Sequence, residues 1–293
     1  MGELYKRFGG GLATTFLALV LLWIAGMVLA PNIMMVDYAL RPNLPPSQIG
    51  GPNDVYSLDN VLYLANEAVH RSIFFKTIWA SAFVAFATFV VCYPLAFWLA
   101  QHATPSQTAI ALLALTIPFW INEVLRTLAW YILLAFRGPL NALLLGVGVI
   151  DEPMRYYGNG GVLAGMIYAY ILFMLFPIYN AIESLEKAQI EAARDLGAST
   201  WRIHWRVVMP HAKAGIATGC VFTFMLAAGS YVAPALLGAP GSRWFTEIIY
   251  NWFFEGGDWN RGAAYALVLL VLCLAVVLVT LKLARVNLTD VAK

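Results

Sequence analysis

The chain has 293 residues, of which 61% are hydrophobic and only 12% are charged, and its formal net charge at pH 7 is +2. A composition this apolar excludes an ordinary water-soluble domain, and no nucleic-acid partner is predicted. The chain is therefore expected to lie in a membrane.

Several apolar runs reach the roughly 20 residues needed to cross a hydrocarbon core about 30 Å thick. They show no alternation with a period of two residues, which favours helices over a transmembrane barrel. The predicted fold class is an all-α polytopic membrane protein with six transmembrane helices. The predicted spans are residues 12–30, 75–99, 109–135, 160–182, 214–237 and 262–284.

The orientation follows from the distribution of basic residues, which concentrate on the cytoplasmic side of membrane proteins. An even number of spans places both termini on one side, and we expect that side to be the cytoplasm. The first apolar run is longer than the 7–15 apolar residues of a signal peptide, so we expect it to be retained. The basic residues on the predicted cytoplasmic side are Lys6, Arg7, Lys187, Arg194, Arg202, Arg206, Lys213, Lys282, Arg285 and Lys293.

The segments between spans divide the chain into residues 1–74, with one span and a long external loop, and a core at 75–293. The loop at 31–74 contains RPNLPPSQIGGPN, which is too rich in Pro and Gly for a regular element. A short interfacial helix follows, and Asp59 could cap it. The apolar piece between spans three and four is too short to cross the membrane and predicts a re-entrant or surface helix. The aromatic residues expected at an interfacial belt before span six are Trp244, Trp252, Phe253, Phe254 and Trp259.

The polar segment at 184–210 predicts two short helices separated by a break. Gly197 supplies the left-handed residue that commonly ends a helix. Ser199 or Thr200 can cap the next helix, and Pro210 is expected to end it before span five.

The first of these helices has charge and small side chains on one face. Glu191 and Asp195 lie one turn apart, beside Ala192 and Leu196, which suits a groove in another protein. The second helix places Trp201 and Trp205 one turn apart next to Arg202 and Arg206. These Trp residues could anchor the loop at the membrane surface or pack inside it. A solvated connector remains the alternative interpretation of the whole segment.

The string EAARDLGAS, followed by a bulky and basic run and a proline, resembles the EAA loop of permease subunits in bacterial ABC importers with the type I, methionine-permease-like fold. The resemblance places Glu191, Ala192, Ala193 and Gly197 at the motif positions. It implies that the loop at 184–212 is a coupling helix that docks on a cytoplasmic ATPase subunit. The predicted ATPase-coupling residues are Glu191, Ala192, Ala193, Asp195, Leu196, Gly197, Arg202 and Pro210.

Four further stretches, IPFWINEVLRTLAWYILL, GPLNALLLGVGVIDEPMRYY, PALLGAPGS and GDWNRGAA, look like the spermidine/putrescine permease branch of that family. The resemblance implies a five-helix core from spans two to six, with span one wrapping around a partner. It also implies a bacterial inner-membrane location. The implied partners are two cytoplasmic ATP-binding subunits, a second homologous permease subunit and a periplasmic substrate-binding protein.

A GxxxxGK[ST] phosphate loop is lacking in the sequence, so ATP and Mg²⁺ are expected in the partner ATPase and no cofactor in this chain. We see no catalytic set and no metal-ligand spacing, and the chain is expected to be non-catalytic.

A substrate pathway is predicted around span three, because ionisable residues inside a span usually face a cavity. Glu123 and Arg126 could instead form an internal ion pair. Relatives often carry an acid near the position of Ser230, which is absent here. The predicted pathway residues are Trp120, Asn122, Glu123, Arg126, Trp130, Tyr231, Asp258 and Trp259.

The expected function is ATP-driven import of polyamines, since an aromatic wall with a carboxylate suits a cationic amine. An importer of an opine or an aminophosphonate is the alternative within the same architecture. An ion-coupled secondary transporter and an assembly scaffold are more distant alternatives.

Overall fold

The computed structural model describes residues 2–284 and the side chains from residue 10 onward. Every regular element in this range is a helix, which confirms the predicted all-α class. The chain divides into two compact units. One contains the described residues up to Ala68 together with Ile249–Leu270, and the other contains Val69–Ile248 and the residues from Val271.

The first helical run is longer than predicted. Helix α1 (Gly2–Ile24) continues through a π-helical turn at Ala25–Leu29 into α2 (Ala30–Leu40), so the run does not end at residue 30. Pro31, at the start of α2, lacks an N–H, and the wider π turn before it accommodates this loss. The side-chain amide of Asn32 donates to the carbonyl of Val28 at 2.8 Å. The helical run therefore continues past Pro31.

The loop that follows is held by Arg41. Its guanidinium contacts carboxylate oxygens of Asp37 and Asp54, each at 2.9 Å, and donates to the hydroxyl of Tyr56. Helix α3 (Asp59–Asn66) comes next. Leu58 occupies its N-cap position and Asp59 lies in its first turn, so the prediction that Asp59 caps this helix is wrong.

The next helices form the first half of the larger unit. Span three is not one helix, contrary to prediction: the run at 105–120 and the helix at Glu123–Leu133 meet at an angle of 96°. The helices of this part are α4 (Ala68–Gln101), α5 (Pro105–Thr116), a 3₁₀ turn (Ile117–Trp120), α6 (Glu123–Leu133), α7 (Pro139–Gly146) and α8 (Asn159–Glu183).

The second half contains the polar loop and the last two predicted spans. Span five is divided between two helices, Lys213–Ala228 and Val232–Leu237, because residues 229–231 are not helical. The helices here are α9 (Lys187–Asp195), α10 (Thr200–Ile203), a π turn (His204–Val208), α11 (Met209–His211), α12 (Lys213–Ala228), α13 (Val232–Leu237), α14 (Phe245–Phe254) and α15 (Trp259–Ala284).

Four helical runs in the described chain are long and apolar enough to cross a membrane, and the number rises to six if each of two bent pairs counts as one span. The pairs cover residues 105–133 and 200–228, so the predicted number is reached at this upper limit, and the second pair begins before the span predicted at 214–237. In the larger unit, α8 and α12 pack closely because Gly219 has no side chain. A Cβ atom there would lie 2.9 Å from the sulfur of Met174. Small residues are the usual means by which membrane helices approach each other.

Candidate functional site

The break after α9 is a Schellman motif built on Gly197. This residue has a φ of +75°, its N–H donates to the carbonyl of Arg194, and the N–H of Ala198 donates to that of Ala193. A Cβ atom at Gly197 would meet nothing within 4 Å. Glycine is therefore favoured here by the backbone conformation and not by lack of space.

The outer face of α9 is free for a partner in the described part of the chain. Glu191, Ala192 and Asp195 are exposed, and Leu196, at the C-cap, is 89% exposed. Neither acid takes part in a salt bridge among the described residues. Ala193 is half-buried. Exposed acids beside small and apolar side chains can meet basic groups and a groove on another protein.

The inner face of the same loop packs into the core. Ile190, Ile203 and Val208 are buried in one cluster with residues of α4 and α8, among them Leu99 and Ile182. The apolar inner residues thus tie both halves of the loop to two predicted membrane spans. Force applied to α9 would reach α4 and α8 through this cluster.

The second half of the loop differs from the prediction at its end. Pro210 does not end the helix, because it lies inside α11, and the chain bends after His211. The π turn at His204–Val208 ends two residues before this proline, and the wider turn accommodates its missing N–H as at Pro31. Arg202 is exposed.

The break in span three lies at residues 121–122. Asn122 caps α6, its side-chain oxygen accepting from the N–H of Val124 at 2.8 Å. Glu123 follows in the first turn, where the helix dipole favours a negative charge. Trp120 ends the preceding 3₁₀ turn and is 82% exposed. Glu123 therefore stands at a helix start and not at the centre of a continuous span.

Arg126 lies one turn further along α6. The alternative of an ion pair with Glu123 is not found among the described salt bridges. The guanidinium carbon lies 4.2 Å from the centre of the Phe119 ring, and the Nε and Nη1 atoms are buried without a hydrogen-bond partner in the described chain. Trp130 packs against Tyr168 of α8, with ring centres 5.6 Å apart. Arg126 thus offers N–H groups to a ligand or partner.

The break in span five has a clear origin in Pro234. Because proline has no N–H, the carbonyl of Ser230 cannot be bonded from that position, and it accepts instead from the hydroxyl of Thr246 at 2.6 Å. Tyr231 occupies the N-cap position of α13 and is partly exposed. The helix is therefore interrupted at residues 229–231.

The two breaks adjoin, since α13 packs against both α6 and α8. Tyr170 of α8 lies next to Ser230 and within electrostatic range of Glu123 and Arg126. The larger unit therefore brings Asn122, Glu123, Arg126 and Tyr231 to neighbouring helices. The sequence did not single out Tyr170 or Thr246, because their partners lie far away along the chain.

The last two predicted pathway residues belong to the other unit. Asp258 is buried, and its carboxylate accepts a hydrogen bond from the backbone N–H of Arg261 at 3.0 Å, which caps the start of α15. The same carboxylate lies 3.3 Å from Nε of Arg261 and forms an ion pair with it. Trp259 is exposed and lies edge-on to Phe253. Trp244 is fully buried, so the prediction that it belongs to an interfacial belt is wrong.

No group of three or more metal-ligating side chains occurs in the part of the chain that the structure describes.

Comparison with known proteins fits this geometry. Residues 2–285 match the family described as binding-protein-dependent transport system inner membrane component. The chain is 30% identical over 264 residues to the spermidine/putrescine transport system permease protein PotB of Escherichia coli K12, covering 90% of this chain and 94% of that protein. It is 27% identical over 260 residues to the protein of the same name from Haemophilus influenzae, with 87% and 88% covered.

Two solved structures share the fold. A chain of a bacterial ABC transporter involved in the import of the acidic polysaccharide alginate superimposes with a TM-score of 0.76 and 18% identity, over 96% of both chains. A chain of the MetNI methionine ABC transporter gives a TM-score of 0.54 with 15% identity, over 75% of this chain and 98% of that one. The chain therefore belongs to the family of binding-protein-dependent transport system inner membrane components, and it is a non-catalytic, multi-pass permease subunit of an ABC importer with the type I fold.

Proposed function

We propose that this permease forms half of the pathway of an ATP-driven polyamine importer and couples to the ATPase through α9. The observation that carries the substrate class is the 30% identity to a spermidine/putrescine permease over 90% of the chain. The half-buried carboxylate of Glu123 stands directly after the break in span three, and Trp120 stands directly before it, which supports this class chemically. An amine cation would be attracted to both groups.

The partners of this subunit are two cytoplasmic ATP-binding subunits, which hold ATP and Mg²⁺, and a periplasmic substrate-binding protein. A second, homologous permease chain forms the other half of the pathway. Both termini and the loop at 184–212 face the cytoplasm, as the concentration of Lys and Arg on that side indicates.

The first span is proposed to contact the second permease, and the rest of the chain to form the core. Only 6% of the apolar window of Gly10–Leu40 is buried within the described chain. A helix that is apolar all round is covered by lipid or by another subunit. We infer that the segment at 1–74 wraps around the second permease and that 75–293 forms the five-helix core.

Coupling follows from the two faces of α9. The outer face, with Glu191, Ala192, Asp195 and Leu196, docks on the ATPase. The inner residue Ile190 is buried against α4 and α8. Closure of the ATPase on ATP thus moves α9 together with these helices. The short helices α6 and α13, which begin at the two breaks, change their packing as the pathway opens to the other side.

The second candidate substrate class is a zwitterion such as an opine or an aminophosphonate. One observation favours it, because Arg126 has two buried N–H groups without a partner in the described chain. An anionic carboxylate or phosphonate would satisfy them through charge-assisted hydrogen bonds. The variant Arg126→Gln separates the two classes: it would leave polyamine uptake intact and would abolish the uptake of a zwitterion.

The test is uptake by the complete complex in proteoliposomes loaded with ATP, with labelled putrescine and spermidine outside together with the binding protein. We expect ATP-dependent uptake that falls about tenfold or more in Glu123→Gln, because an interaction of a charged group is worth roughly 1.5–3 kcal/mol. Asp258→Asn tests whether a capped acid in the other unit also contributes. Unchanged uptake and competition profiles in both variants would overturn the pathway assignment. Uptake driven by an ion gradient without ATP would overturn the importer mechanism.

A further inference from the structure

An apolar cavity lies between α4 and the second half of the polar loop, within the larger unit. Its volume is about 470 Å³, inside the range of roughly 300–1,000 Å³ that is typical of small-molecule sites. The lining residues are Phe89, Val90, Tyr93, Pro94, Phe97, Thr200, Trp201, His204 and Met209.

The polar side chains of this lining are largely occupied with each other. The hydroxyl of Tyr93 lies 2.8 Å from Nδ1 of His204, and the His204 ring meets that of Phe97 edge-on at 4.5 Å. The remaining walls are mostly aromatic and aliphatic. A hydrocarbon chain therefore suits the cavity better than a polar ligand.

The cavity opens at the exposed surface of α4, which is a predicted membrane span. Val90 and Pro94 are exposed residues in the middle of α4, a helix apolar enough to cross a membrane. Pro94 lacks the N–H that would bond the carbonyl of Val90, so the proline locally loosens the helix at the cavity. In a bilayer this surface is next to hydrocarbon and not to water.

The rim of the cavity has the residues of a membrane–water interface. Trp201 lines the cavity and is 73% exposed, and Trp205 is exposed one turn later. Arg202 and Arg206, also exposed, lie beside them. Neither Arg forms a salt bridge within the described residues. Tryptophan prefers the headgroup level, and arginine binds phosphate.

We propose that this cavity holds an acyl chain of an anionic phospholipid, whose phosphate lies against the Arg202 and Arg206 side. The proposal rests on the proposed orientation, in which the loop faces the anionic cytoplasmic leaflet. The acyl chain would fill the space between α4 and residues 200–209 of the polar loop.

The experiment uses the complete complex in nanodiscs that contain phosphatidylcholine and a small fraction of phosphatidylglycerol with a photoreactive acyl chain. Adducts are mapped by mass spectrometry. Val90→Trp fills the cavity, and Val91→Trp is the matched control, because both valines are 51% exposed but only Val90 lines the cavity. We expect adducts on residues 89–97 or 200–209 in the wild type and in Val91→Trp, and their loss in Val90→Trp.

A second variant tests the headgroup. Arg206→Gln is expected to weaken the preference for phosphatidylglycerol over phosphatidylcholine about fivefold, since a basic residue near an anionic surface contributes about 1 kcal/mol. Equal adducts in all variants, or labelling without preference for the anionic lipid, would overturn the proposal. Adducts absent from the wild type because a partner subunit covers the cavity would overturn it too. Lipid labelling is read independently of uptake, so its failure is distinguishable from failure of the polyamine assignment.

Discussion

The side-chain amide of Gln101, the last residue of α4, donates to the carbonyl oxygen of Ile182 at 2.9 Å. It also donates to the carbonyl of Leu185 at 3.2 Å, in the turn between α8 and α9. One buried amide therefore joins the end of one predicted span to the point where another leads into the loop at 184–212. This contact fixes the segment that leads into α9 to the helices that α9 is proposed to move.

Replacing this amide tests the attachment. Gln101→Leu is expected to lower the free energy of unfolding by about 1–3 kcal/mol, because buried carbonyls lose their partner. ATP hydrolysis by the complex is expected to become less dependent on substrate. The melting temperature and the substrate-stimulated ATPase rate are the measurements. Gln48→Leu, at an exposed position in the 3₁₀ turn Pro46–Gln48, serves as the control and should change neither. Equal behaviour of the two variants would refute the role of Gln101.

The conformation of Gly197 yields a second prediction. At a φ of +75° a side chain costs about 1–2 kcal/mol, although the surrounding space is open. Gly197→Ala should therefore weaken binding of the ATPase while the complex keeps its fold. Gly146→Ala is the control, because Gly146 lies in α7, with nothing near a Cβ and no positive φ. Binding measured by co-purification should fall only in Gly197→Ala, and wild-type binding in that variant would show that the motif is not needed.

The hydroxyl of Thr246 stabilises the break in span five. Thr246→Val removes the donor to the carbonyl of Ser230 and is expected to cost about 1–3 kcal/mol. We expect slower transport at unchanged assembly, since α13 loses a support at its start. Thr218→Val is the matched control, because the Thr218 hydroxyl bonds only within its own helix, to Ala214. Transport by Thr246→Val at the rate of this control would contradict the prediction.

The loop at 41–57 is expected to loosen in acid. The N–H of Gly50, together with the guanidinium of Arg41, holds the pKa of Asp54 below its usual value. A lowered folded-state pKa stabilises the loop above the unfolded pKa near 3.9, and this stabilisation is lost as the pH falls through the folded value. Hydrogen exchange at Gly50, corrected for its intrinsic pH dependence, should rise below about pH 4. In Asp54→Asn the exchange should already be fast at pH 7, and slow exchange there would exclude this role.

The sequence allows accurate prediction of spans whose apolar run is uninterrupted and has clear ends. The span predicted at 160–182 corresponds to a helix over Asn159–Glu183. The break in span three was not predicted, because Trp120 and Ile121 continue the apolar run and hide the change of direction. Pro118 and the capping residue Asn122 are the local signals of this break.

For the candidate site, local residues could be predicted and distant partners could not. Gly197 ends α9 as its residue type indicates. The contacts of Gln101 with Ile182 and of Thr246 with Ser230 join residues far apart along the chain, and no spacing rule connects them. Asp258 was predicted as a pathway residue, and only the structure shows that it caps α15 and pairs with Arg261.

The central claim is that the outer face of α9 transmits ATP hydrolysis, and co-purification with the ATPase subunits tests it most directly. Glu191→Arg reverses an exposed charge on that face, whereas Gln189→Arg introduces the same side chain at an exposed position on another side of the helix. The account predicts that Glu191→Arg loses the ATPase and substrate-stimulated hydrolysis while the wild type and Gln189→Arg keep both. Retention of a stimulated ATPase by Glu191→Arg, or no ATPase bound to the wild type, would contradict it.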